Sequence, residues 1–154
     1  MSVGRVYASM VLLMMFGLGL MIPSAIILGT IIITPYSGRA YLIEIGASLY
    51  IASALMALAS VPLVNKRLTE GYVLGILSCL LAFSTFVILL SLTVLGIGQY
   101  EYYNRYYQMA MLLLAIGGLA LLPELITSIL LTTTWGESKR HQTTEKEKTA
   151  TETH

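Results

Sequence analysis

Four long apolar runs, parted by short polar breaks, make up most of the chain: Tyr7–Ile33, Tyr41–Val64, Tyr72–Ile97 and Met109–Leu131. Crossing the hydrocarbon of a bilayer takes about 20 mostly apolar residues, and each run is that long. The runs are continuous. Barrel strands would alternate polar and apolar positions over shorter segments. Lipid satisfies no backbone hydrogen bonds, so each run must close its own as a helix. The breaks are Thr34–Ala40, which carries Pro35, Ser37 and Gly38; Asn65–Gly71; and Gly98–Gln108, which carries Tyr100, Tyr102, Tyr103, Tyr106 and Tyr107. Helices joined this closely are antiparallel neighbours. The pattern predicts an all-α integral membrane protein, an antiparallel four-helix bundle with short loops.

Composition agrees. Of 154 residues, 56% are hydrophobic and 11% are charged, against roughly 25% charged in soluble domains. The bilayer is therefore the first partner of this surface. Residues 1–135 read as one transmembrane domain. Residues 136–154 mix Glu, Lys and Thr without apolar periodicity and read as a polar, disordered tail. The first run is too long and continues too far past Pro23 for a cleaved signal peptide. A net charge of +1, with no basic patch interleaved with aromatics, speaks against nucleic acid. Cys79 is the only cysteine, so no internal disulfide or CxxC site exists. Arg5, Lys66, Arg67, Lys139, Arg140, Lys146 and Lys148 fall on one side of the spans, and Arg39 and Arg105 on the other. The positive-inside rule then puts both termini in the cytoplasm.

Within the runs there is no Lys, Arg, His or Asp, and there are two Glu. Glu124 follows Pro123 in the fourth run. It lies roughly 25 Å from Tyr107 at about 1.5 Å per residue, in the inner half of the membrane. An intramembrane acid is by default a functional candidate. Pro123 removes a helix hydrogen bond and frees the Leu119 carbonyl. A kink beside a buried carboxyl could serve an ion or a proton. The structural alternative is favoured: a carboxyl bonded to a neighbouring helix, with Ser53, Ser78 and Cys79 at its depth and Thr127 and Ser128 one turn away. Glu44 lies about 20 Å shallower, so the two form no carboxylate pair. It reads as an interfacial salt bridge to Arg39 or Arg105, or as a solvated side chain.

Small residues are the second signal. The second run holds Gly46, Ala52, Ser53, Ala57 and Ser60, the first holds Gly17 and the third Gly75. In lipid, helices associate by close approach over small residues instead of by hydrophobic drive. Span two is therefore expected to be a packing centre, within the bundle or between copies. Met10, Met14 and Met21 share a helical face and read as flexible packing. His141 and His154 both lie in the tail. Histidine-held haem, copper or zinc is thus excluded from the spans, and no metal or cofactor is expected. No nucleophile–base set can form there, so the chain is not expected to be an enzyme.

Phe16-Gly17-Leu18-Gly19-Leu20-Met21-Ile22-Pro23-Ser24-Ala25-Ile26, then Tyr36-Ser37-Gly38 and Ile45-Gly46-Ala47-Ser48-Leu49, resembles spans one and two of the membrane-spanning four-domain subfamily A. Lys66-Arg67 before span three and Glu124 in span four fit the same pattern. The chain departs from it in a short connection between spans three and four, without cysteines, and in a very short N-terminal segment. The resemblance implies an oligomeric surface protein that associates with receptors or modulates ion flux, without catalytic residues.

The functional expectation is a small, non-catalytic four-span protein. It would serve as an oligomeric scaffold or as an accessory subunit of a larger membrane complex. The alternative is a channel or transporter subunit using Glu124 near the Pro123 kink.

Overall fold

The computed structural model describes residues 3–33, 41–96 and 104–151. They form four helices: α1 Val3–Ile33, α2 Tyr41–Asn65, α3 Thr69–Gly96 and α4 Asn104–Thr151. All four are long and apolar enough to cross a membrane, over Val3–Ile33, Leu42–Asn65, Thr69–Leu95 and Gln108–Glu137. The protein is a multi-pass membrane bundle. Its helices pack in the ring order α1, α2, α3, α4, with α4 closing back on α1 and touching α2 across the middle.

Burial follows from lipid as the solvent. Large apolar side chains point outward at mid-span: Ile26 is 64% exposed, Ile88 52% and Leu119 79%. In water such a surface would aggregate. A row of small and hydroxyl-bearing residues turns inward instead. Ala47, Ser53, Ala54, Ala57 and Ser60 on α2 are all fully buried. Span two thus turns these small residues into the interior of the bundle. Ala52 is the exception to the packing expected on this span, because it is exposed. Neighbouring helix positions differ by about 100°, so the step that buries Ser53 turns Ala52 to lipid.

Glycines mark the closest approaches. A methyl group on Gly17 would meet Leu58 at 2.9 Å and the Ala54 carbonyl at 3.2 Å, which seats α1 on α2. On Gly46 it would meet Leu89 at 2.8 Å, and on Gly75 it would meet Leu131 at 2.8 Å. Gly71 belongs to the turn: a methyl there would lie 2.6 Å from the Val64 nitrogen, which is backbone and cannot yield.

That turn ends α2 in a left-handed cap. The Leu68 N–H donates to the Leu63 carbonyl at 3.0 Å and the Arg67 N–H to the Val64 carbonyl at 2.9 Å. This is the paired bonding of a Schellman motif, with Arg67 at φ 56° where glycine is usual. At the same end Arg5 on α1 pairs with Glu137 on α4 at 2.5 Å, and Lys139 lies 4.5 Å over the Trp135 ring. Arg5, Lys66, Arg67 and Lys139 therefore gather at one end of the bundle.

Beyond Trp135 the structure carries α4 on to Thr151, where composition alone points to an unordered tail. Helix nucleation is the costly step. A segment continuing from a stable span skips it, and Glu and Lys propagate helix well.

Candidate functional site

Glu124 faces the interior of the bundle and is 4% exposed. Its helix position, one residue beyond Pro123, turns it away from lipid, while Leu122 and Leu125 on either side are exposed at 71% and 58%. Ser53, Ser78, Cys79 and Thr127, the residues expected at its depth, are all buried. Tyr50 on α2 and Cys79 on α3 both lie within electrostatic reach of its carboxyl, and Ser128 sits beside the Cys79 thiol.

The hydrogen bonding differs from expectation. The Ser53 hydroxyl donates across to the Ser78 carbonyl at 2.7 Å, binding α2 to α3. The Thr127 hydroxyl donates to the Pro123 carbonyl at 2.6 Å, within α4. Both hydroxyls are thus committed to backbone, and among the described residues none bonds to the Glu124 carboxyl. The Tyr50 hydroxyl, Ser24 Oγ and Ser78 Oγ are buried without a hydrogen-bond partner among the described residues. Such groups cost about 1–3 kcal/mol each in a protein interior.

Tyr50 joins this site although its position in the chain alone does not single it out. It is fully buried, and its hydroxyl rests against Gly117 on α4. The sequence carries half of this signal, a tyrosine well inside a membrane span; that it meets Gly117 depends on the fold. Glu44 is half-buried in the first turn of α2. Arg39 and the Arg105 side chain lie outside the described residues, as does the pairing expected with them and the Tyr100–Tyr103 segment. No group of three or more His, Cys, Asp or Glu comes together among the described residues to hold a metal.

A second feature lies on the outside. A groove of about 320 Å³ runs between α1 and α4, lined by Leu12, Phe16, Gly19 and Pro23 on one side and Leu119 and Pro123 on the other. Every side chain in its wall is apolar.

No protein-family model matches the chain, and no curated protein or solved structure is similar to it.

Proposed function

We propose that this protein is a non-catalytic four-span membrane protein that acts as an oligomeric scaffold or accessory subunit of a larger membrane complex, with both termini in the cytoplasm. One observation carries the reading. Ala47, Ser53, Ala54, Ala57 and Ser60 pack inside the bundle, while the outward faces present large apolar side chains to lipid or to other helices. The grouping of Arg5, Lys66, Arg67 and Lys139 at one end supports the orientation. Gentle solubilisation of native membrane followed by sizing tests the reading. A scaffold or subunit migrates as a defined assembly. A chain that elutes alone and monomeric is neither.

A second reading has its own support. Glu124 is buried beside Tyr50 and Cys79, and unpartnered hydroxyls lie in the same interior. That arrangement suits a proton or ion step through an assembled channel or transporter. Flux across liposomes separates the two readings, because Glu124→Gln abolishes transport on the second and changes nothing on the first.

A further inference from the structure

The α1–α4 groove holds two prolines in matching places. Pro23 lies inside α1 and Pro123 inside α4. A helix proline has no N–H for the carbonyl four residues earlier. The carbonyls that lose their donor are those of Gly19 and Leu119, and both residues line this same groove.

The register brings them together. The Arg5–Glu137 pair aligns the two antiparallel helices. Fourteen residues along α1 from Arg5 is Gly19, and fourteen back along α4 from Glu137 is Pro123. By the same count Pro23 stands level with Leu119. Carbonyls point toward a helix's C-terminus, so the two freed oxygens lean toward a common level from opposite directions. No described hydroxyl donates to either. Gly19 adds access, since a methyl group there would meet nothing within 4 Å.

Each freed carbonyl in hydrocarbon costs several kcal/mol until it finds a donor. Lipid tails offer none, and lipid hydroxyls and amines sit at the headgroup level, far from this depth. At mid-membrane a donor comes on another protein helix. We propose that the α1–α4 groove docks a partner transmembrane helix that presents an amide or hydroxyl side chain at mid-span, donating to the Gly19 and Leu119 carbonyls. This rests on the scaffold reading and names the face and chemistry of its partner.

The test uses the full chain, fluorescently labelled, in phosphatidylcholine vesicles. The probes are acceptor-labelled synthetic leucine-rich spanning helices, one with a mid-span Asn and one all-leucine. Energy transfer to the Asn helix is expected to exceed that to the leucine helix by roughly 3- to 30-fold in affinity. Gly19→Leu, which fills the groove, is expected to abolish the preference with the bundle's thermal unfolding unchanged. The double variant Pro23→Ala/Pro123→Ala restores both helical donors and is expected to abolish it while keeping the groove open. Equal transfer to both helices overturns the proposal and leaves the groove to lipid tails. A preference that survives the double variant also overturns it. Transfer between two labelled copies, lost in Gly19→Leu and unaffected by the Asn helix, overturns it in favour of a second copy. These failures leave the scaffold reading standing, which falls only if the native chain purifies alone as a monomer.

Discussion

The Tyr50 hydroxyl lies against the backbone of Gly117, so that α2 and α4 meet across the middle of the bundle where any side chain would keep them apart. A methyl on Gly117 would also fall 2.8 Å from the Phe86 ring. Gly117→Ala should therefore destabilise the bundle by about 1–3 kcal/mol through overpacking. Tyr50→Phe removes a buried hydroxyl that has no partner, and should be neutral or stabilising by about 1 kcal/mol. Combined, Tyr50→Phe should recover part of the Gly117→Ala loss. Thermal unfolding of the single and double variants in one detergent checks the coupling.

Ser53 and Ala52 are neighbours in sequence with opposite surroundings. Ser53 is fully buried and bonds to α3, whereas Ala52 faces outward. Ser53→Leu should unfold or rearrange the bundle, while Ser53→Ala should cost only about 0.6–1 kcal/mol for the lost interhelical bond. Ala52→Leu should leave unfolding unchanged within about 0.5 kcal/mol. Equal losses for Ser53→Leu and Ala52→Leu would contradict this placement of α2.

Arg67 sits in left-handed backbone at the α2–α3 turn. That conformation costs a non-glycine residue about 1–2 kcal/mol. Arg67→Gly should raise stability by about 1 kcal/mol in unfolding measurements. It also removes one of the cations gathered at that end, so labelling of inserted chains should show a larger inverted fraction if that charge helps to orient the protein.

Glu124 is enclosed on all sides at membrane depth. Glu124→Lys should impair folding, because it encloses an ammonium at a level where the spans hold no other carboxylate to pair with it. Glu124→Gln keeps the polar shape and should fold normally. Expression and monodispersity of both variants in mild detergent compare them directly.

Element identity was plain from the chain, because four continuous apolar runs admit one structural solution in lipid. The described helices end within a few residues of those runs, apart from the continuation of α4. Facing was not plain. A span that is apolar all round has no polar side to mark its exterior, so Ala52 and Ser53 read alike until the helices are placed. A fixed rise per residue converts position into level, so depth alone put Ser53, Ser78 and Cys79 forward as neighbours of Glu124. It did not show that Ser53 bonds to the Ser78 carbonyl in preference to Glu124. The Tyr50–Gly117 meeting joins residues far apart in the chain and needed the fold. So did the two prolines, whose common groove depends on how α1 and α4 are aligned.

Nitroxide collision measurements in vesicles test most directly whether lipid surrounds this bundle on its apolar faces. Single labels at Ile26, Ile88 and Leu119, all exposed at mid-span, should collide freely with dissolved oxygen and hardly at all with a water-soluble nickel reagent. A label at Lys66 in the α2–α3 turn should show the reverse. Nickel access at Leu119 matching that at Lys66 would contradict the account.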